Sequence, residues 1–163
     1  MHPELLWWMS SRLYHSGHRV LAKLVKILNY LLFSAVLPYE CRITRTILML
    51  HRGLGVVVHP NTTIGHNVHI GHCVTLAAGS NKPGTLHRII VEDDVIIGAH
   101  AMVIARQDEE LRLGKGCVVA GGAIVTRSVA PGLIMAGPPA RVIGNRYRSS
   151  RFGESESQPY CNS

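Results

Sequence analysis

The four cysteines, Cys41, Cys73, Cys117 and Cys161, contain no C-x-x-C pair. That absence excludes a zinc knuckle and a dithiol redox motif. Aromatic residues are only 6% of the chain, and no Lys/Arg cluster is interleaved with them. A groove for single-stranded nucleic acid needs that mixture, so no nucleic-acid partner is expected. The apolar run 27–37 has eleven residues, against about 20 for a membrane-spanning helix. The opening Met-His-Pro-Glu has neither a basic n-region nor a small-residue cleavage site, so no secretory signal is read there. The expected location is cytoplasmic, with Cys73 and Cys117 as packed thiols in a reducing compartment.

What is present is a chain of 163 residues with 47% hydrophobic and 17% charged residues. That suits one ordered domain with short extensions. The net charge of +7 is uneven. Residues 1–50 carry six Lys/Arg against two acids, 51–144 carry eight against six, and 145–163 carry three against two. The basic excess therefore sits toward the N-terminus.

Three parts can be drawn: an amphipathic helical segment over 1–37, a β-helix over 38–144, and a polar flexible tail over 145–163. In the first, Leu13, Val20, Leu21, Leu24, Val25, Leu28, Leu31 and Leu32 recur at helical spacing from Glu4 to Phe33. Gly17 is a candidate break into two helices, and Pro38 ends the pattern. Trp7, Trp8 and Met9 make the start apolar, while Arg12, Arg19, Lys23 and Lys26 fall between the aliphatic positions. Such a helix can pack on the next domain or on another subunit. It can also lie on a membrane as a peripheral contact at the inner face.

The middle part carries a period of six. Val58, Ile64, Ile70 and Leu76 follow it, as do Val91, Ile97 and Val103, and Leu113, Val119 and Val125. Gly or Ala follows the aliphatic at 65, 71, 77, 98, 114 and 120. Four residues after the aliphatic come Val68, Val74, Val95, Ala101, Cys117, Ala123 and Val129. Each hexapeptide reads as a short strand plus a corner, with its aliphatic inward and a small residue where the backbone turns. Three hexapeptides close one coil of a triangular prism, so residues eighteen apart should stack. On that count His51 should lie over His69.

Two breaks interrupt the period. Leu76 to Val91 is fifteen residues, with the polar loop Gly79–Leu86 expected to bulge from the prism. Val103 to Leu113 is ten, with a four-residue insertion in 106–110. Insertions in solenoids tend to share one face, often the binding face.

The run His51–Gly144 resembles the serine acetyltransferase-like branch of the hexapeptide-repeat acyltransferases. The stretches that carry the likeness are Gly55-Val56-Val57-Val58-His59-Pro60, Ile70-Gly71-His72-Cys73-Val74-Thr75-Leu76, Gly121-Gly122-Ala123-Ile124-Val125-Thr126 and Ala136-Gly137-Pro138-Pro139-Ala140-Arg141-Val142-Ile143-Gly144. The last is the most specific, because these enzymes close the prism with an Ala-Gly-x-Pro-Ala segment. The short helical N-terminus is similar to that of colanic-acid and capsule O-acetyltransferases. The resemblance implies a left-handed parallel β-helix, a homotrimer, acetyl-CoA in the groove between neighbouring prisms, and direct acetyl transfer without a metal. It also implies a histidine general base for the acceptor hydroxyl, a weak nucleophile that needs one.

Three histidines are candidates for that base. His51 comes first, because the family places a histidine three or four residues before the glycine matching Gly55. In the serine acetyltransferase register, Arg52 takes that slot. His87 is second, at the end of the bulged loop, where the family carries Arg-His-Pro. His72 is third. His2, His15 and His18 read as helix-surface residues, and His59, His66, His69 and His100 as corners or faces of the repeats.

For the acyl donor, the resemblance points to Ala120, Gly121, Gly122 and Ala123 beside the pantetheine arm. It points to Arg127 and Arg141 as phosphate partners. The acids with which serine acetyltransferases read serine are absent: His51 stands where they have Asp, and Pro60 where they have Glu. A sugar or polysaccharide-precursor hydroxyl is therefore favoured as acceptor, with serine as the alternative. A zinc hydratase on the same coil pairs two histidines five residues apart, and no two here have that spacing. A non-catalytic β-helix scaffold is the remaining reading, disfavoured by the bulged loop and the candidate base.

Overall fold

Pro3 opens the first helix, where its fixed φ suits the first turn and its missing N–H leaves no hydrogen bond unmade. The computed structural model describes residues 2–79, 88–106 and 109–147. Helix α1 spans Pro3–His15 and helix α2 spans Arg19–Phe33. Gly17 between them has φ +90, a left-handed conformation that suits glycine. Trp7 is fully buried, and its indole N–H donates to the Pro38 carbonyl at 2.8 Å. Ser11 donates to the Cys41 carbonyl at 2.6 Å. These bonds fasten α1 to the foot of the prism, where Trp7 joins Leu37, Cys41 and Met49 in one core.

α2 packs on α1 through Ala22, Asn29 and Phe33, and Asn29 donates to the Pro3 carbonyl at 3.0 Å. The aliphatic row of the second helix does not pack on the other described residues. Val20, Leu21, Leu24, Leu28, Leu31 and Leu32 are exposed. Gly17 lets the chain fold back, so α1 takes the contact with the prism and leaves α2 outside.

The remainder winds into three sheets, one strand of each per coil. The first sheet holds β1 (Arg42–Ile43), β4 (Thr62–Ile64), β7 (Arg88–Val91) and β10 (Glu110–Leu113). The second holds β2 (Leu48–Met49), β5 (His69–Ile70), β8 (Ile96–Ile97), β11 (Val118–Val119), β13 (Leu133–Ala136) and β14 (Arg141–Asn145). The third holds β3 (Val57–Val58), β6 (Thr75–Ala78), β9 (Met102–Ala105) and β12 (Ile124–Val125). Every pairing is parallel except β13 with β14.

All ten periodic aliphatics point inward and are at most 2% exposed. Val58, Leu76, Val103 and Val125 form one stack, and Ile70, Ile97 and Val119 another. Each such side chain stabilises the fold by about 1.5–3 kcal/mol through burial. The corner glycines keep the coils close: a Cβ on Gly71 would lie 2.5 Å from the Ala99 nitrogen.

Three breaks in the period set the corners, one more than the period showed. Between Met49 and Val58 nine positions replace six, and the 3₁₀ turn Leu50–Gly53 takes up the surplus. The four-residue insertion after Val103 lies between β9 and β10, and the fifteen-residue step lies between β6 and β7. Both sit at the corner from the third sheet to the first. The loop Gly79–Leu86 lies outside the described residues after Gly79, as do 107–108 of the insertion.

At the far end, β14 continues one residue past Gly144. Arg146 then donates to the Asp94 carbonyl at 2.9 Å, and Tyr147 covers Gly116 and Gly132. Cys117 is buried as expected of a repeat position, whereas Cys73 is a half-buried corner residue with φ +54.

Candidate active site

The corner between the second and third sheets carries a column of imidazoles. The His51 ring meets the His72 ring at 4.9 Å between centroids and 88° between planes. His72 in turn meets His100 at 4.9 Å and 82°. His51 does not lie over His69, because the three extra residues after Met49 shift the register: Leu48 pairs with His69 instead. The same shift carries His51 round the corner and onto His72.

Local backbone explains how His51 is presented. His51 and Arg52 have φ 51 and 57, both left-handed. Two consecutive non-glycine residues in that region cost about 1–3 kcal/mol each. The turn is held by its surroundings: Leu54 N–H bonds to the His51 carbonyl, and Cys73 N–H to the Leu54 carbonyl at 2.8 Å. Gly55 N–H reaches the Ser34 carbonyl at 3.2 Å, so the linker after α2 also braces the turn. His51 and His100 are exposed, while Nδ1 of His72 is buried with no hydrogen-bond partner among the described residues.

One coil above His100 lie Gly121 and Gly122. Gly122 N–H bonds to the Ala99 carbonyl at 2.9 Å, and nothing comes within 4 Å of where its Cβ would stand. The histidine column thus opens upward onto bare backbone. Ala120 is half-buried, but the Ala123 side chain is fully buried in the prism. Ala123 occupies the inward position four residues after Val119, so only its backbone could meet a pantetheine arm.

From this glycine corner β12 leads to a cleft of about 500 Å³ at the next corner. Arg127 and Arg141 both line it, together with Arg106, Thr126, Ser128 and Pro139. Three guanidiniums around one cleft favour an anion with several oxygens, because each can offer paired N–H donors.

Of the sequence candidates, His51 and His72 are brought together, and His87 lies outside the described residues. His100 and Arg106 were missed. His100 follows Ile97-Gly98 as His72 follows Ile70-Gly71, one position later, so aligning the corners would have shown it. Arg106 follows Val103 at the corner where Arg127 follows Val125. Buried thiols flank the coils without entering the site: burial pushes Cys41 up to about 12 and Cys117 up to about 11.

No protein-family model matches the chain. Over 81 residues it is 48% identical to a 2,3,4,5-tetrahydropyridine-2,6-dicarboxylate N-acetyltransferase of Staphylococcus aureus strain bovine RF122 / ET3-1, a match covering 50% of this chain and 32% of that one. The chain thus spans about a third of the length of the curated relatives it matches. Among solved structures, the serine acetyltransferase of Brucella abortus strain S19 superposes with a TM-score of 0.77 at 26% identity, covering 88% of this chain and 56% of that chain. Soybean serine acetyltransferase complexed with serine gives 0.74 at 30% identity, covering 85% and 54%. The Brucella enzyme has also been solved in complex with coenzyme A. Serine acetyltransferases have a left-handed β-helix, and the coil of this chain shares it. The six-residue period, the three-sheet coil and the shared stretch of sequence all make the chain similar to the hexapeptide-repeat acetyltransferases.

Proposed function

We propose that the chain transfers an acetyl group from acetyl-CoA to an acceptor hydroxyl, with His51 as general base. The observation that carries this reading is the His51–His72–His100 column, which ends on the open backbone at Gly122. His51 removes the acceptor proton as its oxygen attacks the thioester carbonyl. The tetrahedral intermediate then collapses, breaking the C–S bond, and the proton leaves with the coenzyme A thiol. His72 orients the His51 ring edge-on. Gly121 and Gly122 let the pantetheine arm lie against the backbone, and Arg106, Arg127 and Arg141 receive the phosphates. The exposed Leu54, Val57 and Met102 beside this corner support a second prism there, as a homotrimer with acetyl-CoA between subunits requires.

A sugar or polysaccharide-precursor hydroxyl is the favoured acceptor. Leu50 and Arg52 flank His51 and Pro60 follows His59, so no carboxylate stands next to these histidines in the sequence to pair with an amino acid's ammonium group. An amine acceptor is the second reading, favoured by the N-acetyltransferase name of the curated relatives. Thiol release from acetyl-CoA, measured against sugars, serine and tetrahydrodipicolinate, tests the choice. Turnover confined to serine or the amine would overturn the sugar reading.

A further inference from the structure

We propose that α2 docks the protein on an anionic lipid bilayer, lying flat in the interface. Seven aliphatics of this helix, Val20, Leu21, Leu24, Ile27, Leu28, Leu31 and Leu32, are 43–74% exposed. With 3.6 residues per turn they occupy one continuous arc of about 140°. The opposite side is already used, since Ala22, Asn29 and Phe33 are buried against α1. Among the described residues no other element covers the arc. An apolar strip of this size on a water-facing helix marks a surface that something else covers.

The charges along the strip select the occupant. α2 has no acidic residue, and Arg19, Lys23 and Lys26 run along the edge between the aliphatic arc and α1. Arg19 stacks over Tyr14 at 5.9 Å and Lys26 over Tyr39 at 5.1 Å. Both cations are thus held at that border rather than swinging free. On α1, Trp8 lies between Arg12 at 5.0 Å and Arg45 at 5.5 Å. Residues 1–50 carry six Lys/Arg against two acids. A second copy of α2 would bring the same cations and no acid to answer them. An anionic headgroup layer answers every one, while its acyl boundary accepts the leucines.

Length sets the mode of contact. Fifteen residues make a helix of about 22 Å, short of the roughly 30 Å hydrocarbon core. Among the described residues no helix is long and apolar enough to cross a membrane. The helix therefore lies on the surface rather than across the bilayer.

Sedimentation of the full-length protein with vesicles tests this. The expected result is binding to phosphatidylcholine vesicles holding about 30% phosphatidylglycerol at least tenfold stronger than to pure phosphatidylcholine, and weakening with salt. Leu24→Glu/Leu31→Glu should lower that binding by at least about tenfold, through lost apolar contact. Arg19→Glu/Lys23→Glu, on the border rather than the apolar arc, should do the same by charge alone and guards against misfolding of the first variant. Vesicle binding by both variants equal to that of the unaltered chain overturns the proposal. So does an unaltered chain that stays in the supernatant while Leu24→Glu/Leu31→Glu lowers its oligomeric mass, since the arc would then belong to a second copy.

Discussion

His51 stands edge-on to His72, 4.9 Å between ring centroids, although twenty-one residues separate them. A regular coil would bring together residues eighteen apart. The contact exists because three extra residues are absorbed by a left-handed turn. His51→Ala should therefore lower turnover by about 10²–10⁴, the usual contribution of a general base. The side chain is exposed, so the melting temperature should hold. Steady-state thiol release, run beside thermal unfolding, checks both.

The arginine cleft predicts a different kinetic signature. Arg127→Ala and Arg141→Ala should each raise KM for acetyl-CoA by about tenfold or more, with less change in kcat, because one charge-assisted contact contributes about 1.5–3 kcal/mol. Arg106→Ala should behave alike. Initial-rate kinetics with acetyl-CoA varied will decide; a fall confined to kcat would remove the cleft from donor binding.

Two corner glycines should respond oppositely to the same substitution. In Gly71→Ala the new methyl meets the Ala99 backbone at 2.5 Å, so the coils must part and the melting temperature should fall sharply. Gly122→Ala meets nothing within 4 Å. Its cost is the left-handed φ of +68, about 1–2 kcal/mol. Its main effect should be weaker acetyl-CoA binding, read by calorimetry with coenzyme A.

The buried thiols give an alkaline limit. Folding raises Cys41 to about 12 and Cys117 to about 11 from 9.0, in each case chiefly by burial. A raised thiol contributes stability that is full below the unfolded value and lost as pH climbs toward the folded one. Urea midpoints should thus fall from pH 9 to 11, and Cys117→Ala should flatten that slope. At pH 8 the native protein should leave both thiols unreacted toward a disulfide reagent.

The prism was legible because its signal is periodic. Ile64, Ile70 and Leu76 announce their own inward direction, and every such slot proved buried. The histidine corner was only half legible. His51 and His72 carry motif context, but their contact depends on an inserted turn, and a fixed count of eighteen pointed to His69. Ala123 followed the period: its place four residues after Val119 turns it inward, as that position does in the other repeats. On α2, spacing revealed an apolar arc but not whether the prism would cover it, since the angle at Gly17 decides that.

β14 gives the solenoid a direction in which it cannot grow. Every other strand offers its neighbour a parallel edge, and a stack of parallel edges is a template for endless addition, within one chain or between many. The last strand of the second sheet reverses polarity, and Tyr147 lies over the final corner glycines. A stray parallel strand from another molecule finds the wrong hydrogen-bond order there. The closing segment thus breaks a self-complementary order of hydrogen bonds over the second sheet.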